Sequence, residues 1–242
     1  MLIINADDWG KNRLATNNSL TCFKNGRITS VSAMVFMEDS ERSAELALEN
    51  SIDVGLHLNF TEKFSSHIKP TLKEYHQHIA NFLLKNKYCS LVYNPFLKKQ
   101  FDYVYKAQYE EFVRLYNRIP THINGHKHMH LCTNMIIDKP IPKGFKVRRS
   151  FSFASGEKSV FNRFYRYIVD KQLTNRYICT DFFFSISPVN NPGRLQRVIN
   201  ISNSSNVELM VHPEKEDEYN CLMSAEYLSM ISNVKKCAYS EL

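Results

Sequence analysis

Short apolar runs alternating with helix-patterned stretches restrict what this chain can fold into more than any other feature. Leu2-Ile3-Ile4-Asn5-Ala6 reads as a buried parallel strand. A helix from about Leu14 to Lys24 follows, with Leu14, Leu20 and Phe23 expected inward and Asn25-Gly26 as its stop. Thr29 to Val35, rich in β-branched residues, gives a second strand, and Ser40 caps a helix reaching about Glu49. Ile52 to Asn59 is the third strand. Phe101 to Arg118 recovers a helical pattern whose aromatic stripe (Tyr105, Tyr109, Phe112, Tyr116) suits core packing. Phe145–Arg148, Asp181–Ile186 and Val207–Pro213 read as further strands, with helices over Val160–Lys171 and Pro192–Ile199. Strand followed by helix throughout predicts an α/β fold on a parallel sheet, and 242 residues suit one domain. From 60 to 100 the periodicity fades, so a loop-rich insertion near the functional end is expected there.

The polar residues that close these runs carry the chemistry. Thr121 to His130 holds four of nine histidines, and His126, His128 and His130 stand at i, i+2, i+4. On an extended segment their rings would leave by one side, as a set of imidazole metal ligands requires. Gly125 ahead of them permits a kink. Asp7-Asp8 closes the first strand, His57 lies in the third and His212 ends the last. Each has an ordinary alternative: a solvated tract, a turn or cap, a hydrogen-bonded core histidine. Their placement at separate strand ends weakens those alternatives together, because a closed or nearly closed parallel barrel brings such ends to one face. Arg148, at another strand end, is a candidate for a substrate carboxylate or phosphate, with a surface ion pair as the alternative.

Composition narrows the classes. With 43% hydrophobic and 23% charged residues the chain is neither disordered nor fibrous. No apolar run approaches a membrane span, and no basic region or cleavage site follows Met1, which leads to the expectation of a cytoplasmic protein. Six cysteines without a Cys-x-x-Cys pair exclude a zinc ribbon or dithiol motif and favour reduced, buried thiols. The net charge of +7 comes with no nucleic-acid motif, so no nucleic-acid partner is expected; its milder use would be steering an anionic substrate, with turnover that responds to ionic strength.

Four motifs, in order along the chain, resemble those of the YdjC-like carbohydrate deacetylases. They are Asn5-Ala6-Asp7-Asp8-Trp9-Gly10, Gly55-Leu56-His57-Leu58-Asn59, Thr121 to His130, and Glu208-Leu209-Met210-Val211-His212-Pro213. The resemblance implies a distorted (β/α) barrel of the NodB-like type and a Mg²⁺- or Zn²⁺-dependent hydrolase of N-acetylated sugars. It also implies Asp8, His57 and His126 as metal ligands, Asp7 as base and His212 as acid. On this reading His128 and His130 orient ligands or touch the sugar, and Trp9 and Arg148 complete the substrate contacts. A homodimer is compatible with it. Two departures stand out: Glu214 follows the His-Pro pair where the family often has a small residue, and Asn124 replaces a frequent Asp. Other readings are a phosphoester hydrolase on the same barrel and a non-catalytic sugar-binding protein.

Overall fold

A computed structural model of the chain describes residues 1–153, 159–189 and 191–242. Six strands form one parallel sheet: β1 (Leu2–Trp9), β2 (Ser30–Ala33), β3 (Val54–Leu58), β4 (Ile123–Gly125), β5 (Phe182–Ser185) and β6 (Val207–Val211), in the order β4-β3-β2-β1-β6-β5. The sheet curls into a distorted barrel, and the segment from Lys146 to Ser152 spans its open side. Val147 bridges Ile123 of β4, while the Ser152 N–H donates to the Phe183 carbonyl of β5 at 2.8 Å. The expected strand at Phe145–Arg148 is therefore reduced to single bridges, which is where the barrel is distorted.

Every second strand residue faces the helices and is apolar. Leu2, Ile4 and Ala6, Val54, Leu56 and Leu58, and Val207, Leu209 and Val211 belong to one core with the helix faces. Polar residues among the intervening positions form a network. Asn5 Nδ2 donates to Ser32 Oγ (2.8 Å), Ser30 Oγ donates to Asn5 Oδ1 (2.8 Å), and Ser32 Oγ meets His122 Nε2 (2.8 Å), all of them buried. A fully apolar filling would have left no means of holding charged groups at the barrel mouth; hydrogen-bonded partners make polar burial tolerable.

Helices α1 (Arg13–Lys24) and α2 (Ser40–Glu49) pack on the sheet through small residues: Ala15, Thr16, Ser19 and Cys22 in the first, Ser40, Ser43, Ala44 and Ala47 in the second. This corrects the inward face expected for α1, since Leu14 is 56% exposed and Leu20 and Phe23 only flank the core. The stretch 60–100 is also corrected. It contains α3 (Pro70–Leu84), whose buried face is Leu72, His76, Ile79, Ala80 and Leu83. A histidine in the apolar stripe hid the helical period. Burial pushes the His76 imidazole down to about 4, so it fills that position as a neutral ring. Helix α4 (Lys98–Tyr116) buries Tyr105, Phe112 and Tyr116 as its stripe suggests. The remaining helices are α5 (Thr133–Asp138), α6 (Val160–Thr174), α7 (Pro192–Ser202), α8 (Glu216–Met223) and α9 (Ala225–Ile231). All six cysteines are free thiols, and among the described residues no helix is long and apolar enough to cross a membrane.

Candidate active site

Alternation along β1 sends Asp7 into the barrel and should send Asp8 the other way. Instead Asp8 adopts φ +64°, and the β1–β2 register shifts between Ala6 and Trp9. The left-handed step turns the second carboxylate back over the mouth, so both serve one site. A non-glycine residue in that region carries strain of roughly 1–2 kcal/mol and persists only where surrounding contacts fix it.

Here they do. Asp8 Oδ1 lies 2.9 Å from His126 Nδ1 and 3.2 Å from His57 Nε2. One ligand atom from each of Asp8, His57 and His126 falls within 4.8 Å of the others, and all three residues are buried. One carboxylate and two imidazoles converging at that spacing fit a divalent cation, and three protein donors leave coordination positions free. Burial opposes ionisation of Asp8, but its hydrogen bonds to His126 and His57 outweigh burial and hold it well below the usual carboxylate range. Burial likewise pushes the His57 ring down, yet Asp7 and Asp8 together raise it.

Partners outside the triad fix the rings. His126 Nε2 is 2.9 Å from Glu62 Oε2, so the nitrogen facing Asp8 is Nδ1. The Asn124 carboxamide touches His57 Nδ1 at 2.7 Å with one arm and, with the other, Ser32 Oγ at 2.8 Å and the Arg148 guanidinium at 2.8 Å. An amide oxygen toward His57 accepts Nδ1–H and frees the Nε2 lone pair for a cation. An amide nitrogen there suits Arg148 better and leaves the proton on Nε2. Lys11 Nζ completes the rim, 3.5 Å from Asp8 Oδ2 and 2.9 Å from Glu214 Oε1, so the departure at Glu214 anchors a cationic side chain beside the cluster.

Asp7 has a different environment. Arg148 grips it with two bonds, NH1 to Oδ2 at 2.6 Å and NH2 to Oδ1 at 2.7 Å, and Asn5 Nδ2 donates to Oδ1 at 2.9 Å. Burial alone would raise Asp7; the Arg148 guanidinium, with His57 and His212, overrides it and keeps the carboxyl far below its ordinary range. His212 follows β6 and is partly exposed. Its backbone N–H donates to Glu218 Oε2 at 2.6 Å, and its Nδ1 sits 3.7 Å from Glu218 Oε1. Burial raises Glu218, but His212 and Ser187 bring it down to about 2, so the anchor is an ionised carboxylate.

Four expected substrate contacts lie elsewhere or lose that role. The histidine tract is not extended: β4 ends at Gly125, and Lys127 (φ 52°) and His128 (φ 58°) turn left-handed within the 3₁₀ segment His126–Leu131. The three rings therefore do not share a face. His130 is buried, with Nε2 3.1 Å from the Arg148 carbonyl oxygen, and burial pushes it down to about 3. His128 packs against Phe151 and Phe183 and lines a separate cavity of about 260 Å³ with Tyr165 and Arg166, as a ring burial keeps neutral. Trp9 is wholly buried with its indole N–H donating to the Ser43 carbonyl oxygen at 3.2 Å, so it is a core residue. Arg148 is 0% exposed, with its guanidinium held by Asp7 and Glu208, so its burial keeps it from a substrate anion. Glu62, Lys11, Glu208 and Glu218 were not expected. Glu62 and Glu218 carried one signal, each standing shortly after a strand that bears a site histidine.

A distorted parallel barrel with two carboxylates and three histidines gathered at the carboxyl ends of its strands defines a class of α/β barrels that place their chemistry at that face. Within it, the chain matches the YdjC-like protein family over residues 1–234 and belongs to that family. Among its relatives, a carbohydrate deacetylase of Clostridium beijerinckii is 28% identical over 216 residues, 88% of this chain and 80% of that protein. A chitooligosaccharide deacetylase of Yersinia pestis is 26% identical over 132 residues, 54% of this chain, and the match spans only about half (51%) of that protein. A crystal structure from Enterococcus faecalis V583, provisionally named a cellobiose-phosphate cleavage protein, superposes with a TM-score of 0.71 at 18% identity, covering 99% of this chain and 97% of that one; the likeness is one of fold.

Proposed function

We propose that this protein is a divalent-metal-dependent hydrolase that removes the acetyl group from an N-acetylated sugar. The observation that carries the reading is the adjacency of two differently tuned carboxylates: Asp8 in a cluster with His57 and His126, and Asp7 clamped by Arg148. Asp8, His57 and His126 would hold the cation, which when bound supplies Lewis acidity toward the amide carbonyl and acidifies water. Two imidazoles with one carboxylate suit zinc better than magnesium, which prefers an all-oxygen shell. Glu62 and Asn124 hold the imidazoles in register for it.

Asp7 stays ionised because of its arginine clamp and accepts the proton lost as water adds to the acetyl carbonyl. His212, held by Glu218 on its Nδ1 side, returns a proton to the departing amine, whose expulsion as an anion would be prohibitively uphill. The names of the Clostridium and Yersinia relatives support an acetylated carbohydrate as substrate. The test is acetate release from a panel of N-acetylated mono-, oligo- and nucleotide sugars, with protein reconstituted with zinc or magnesium and a chelator control. Acetate from at least one substrate, abolished by chelation, is expected. No acetate from any, or phosphate released from phosphorylated sugars instead, would refute the reading.

A further inference from the structure

Beneath the candidate site the barrel is closed by the end of the chain. Ile3 of β1 packs with Cys237 and Tyr239, flanked by Met1 and Leu242. The turn at Tyr239–Glu241 is fastened from two sides. Lys146 Nζ donates to the carbonyl oxygens of Tyr239 (2.7 Å) and Ser240 (2.8 Å), and the Ser240 N–H donates to Asp53 Oδ2 at 2.9 Å. Tyr239 is 1% exposed and its ring stacks on His122 with centroids 3.7 Å apart. This turn lies outside the residues matched by the family, which end at 234.

A plug needs only an apolar ring, yet the Tyr239 hydroxyl donates to Glu208 Oε2. The other oxygen of Glu208 accepts from Arg148 Nε at 2.8 Å and lies 2.6 Å from NH2 in an ion pair. The remaining edge of the same guanidinium holds Asp7. A guanidinium is planar and rigid, so the carboxylate on one edge dictates the direction in which the other edge points. Arg148 NH2 is shared between Glu208 and Asp7. A Glu208 that lost its tyrosine donor would draw the guanidinium toward itself, because a buried carboxylate left short of donors is costly.

We infer that Tyr239 is a positioning residue for Asp7, acting through Glu208 and Arg148, so that the C-terminal turn sets the aim of the carboxylate at the opposite end of the barrel. The inference rests on the deacetylase reading for its kinetic consequence and on geometry alone for its structural one. The test uses the full chain with Y239F, E208Q and the double variant, in acetate release and in crystal structures. Y239F should lower kcat about tenfold with KM within about twofold, as expected for a misaimed group rather than lost binding. The double variant should be no worse than the poorer single one, since both cut one chain of contacts. The Y239F crystal should show one Arg148–Asp7 hydrogen bond opened. A kcat within about twofold of the parent, losses that multiply in the double variant, or an intact two-bond Arg148–Asp7 pair would each overturn the inference. Should Y239F fail to fold, E208Q keeps the ring in place and carries the test alone, an unchanged kcat counting against it. A parent protein that releases no acetate refutes the deacetylase reading, while the crystal comparison still decides this one.

Discussion

Asp7 and Asp8 are neighbours in sequence with unlike chemistry, and the backbone step at Asp8 produces the difference. With φ at +64° Asp8 turns to two imidazoles, while Asp7 keeps its inward place and meets Arg148. The Asp7→Asn variant should therefore lose about 10²–10⁴-fold in acetate release while binding zinc as the parent does, which calorimetry beside the activity assay would reveal. Near-parental turnover would remove Asp7 from the mechanism. Glu62 would act by another route: its carboxylate stands 2.9 Å from His126 Nε2, the ring nitrogen away from Asp8, and in the proposed site would brace that ring without being a ligand. Glu62→Ala should weaken zinc affinity by about 10–100-fold with little change in melting temperature, because the side chain is partly exposed and holds no core together. Unchanged affinity in a chelator competition would show that the ring needs no such partner. That Asp8, His57 and His126 come together was legible in the sequence because these residue types stood on separate strands. Arg148 was misjudged because its partners, Asp7 and Glu208, are 141 and 60 residues away and no local pattern announces them.

At the scale of elements, the strands were readable and the helix faces less so. Runs such as Val54-Gly55-Leu56-His57-Leu58 have apolar residues at every second place, and these meet the helices while the others line the barrel. Helices α1 and α2 lie close on the sheet through alanine, serine and cysteine, which a search for large apolar residues passes over. Helix α3 was missed because His76 interrupts its stripe, and the histidine tract was misread because β4 stops after three residues. Register within the barrel depends on Gly55. A Cβ there would lie 2.4 Å from the His122 ring, which cannot retreat because Ser32 and Tyr239 hold it. Gly55→Ala should cost roughly 1–3 kcal/mol, read as a lower urea midpoint with an unchanged slope. A midpoint equal to the parent's would mean that the β3–β4 pair is looser than its contacts indicate.

For the whole molecule, a barrel filled with polar groups makes stability depend on pH through its histidines. His76, His122, His128 and His130 are all pushed down by burial, to about 4 for His76 and about 3 for His130. Their unfolded value is about 6.5, so below that pH the unfolded chain binds protons that the native state refuses. The stability they contribute is complete above about pH 6.5 and is lost as the pH falls toward their native values; His57, raised by Asp7 and Asp8, has the opposite sign but is a single group. Melting temperature should therefore decline already between about pH 6.5 and 5, before most carboxylates titrate; a flat profile there would contradict neutral burial of these rings. The fold, with polar residues at its strand ends, brings an amino-terminal acid and two later imidazoles to one point. Calorimetric titration of zinc into the metal-stripped protein and into its His57→Ala variant tests this most directly. The account predicts one equivalent bound by the parent and a severe loss of binding in the variant, whereas equal binding by both proteins would contradict it.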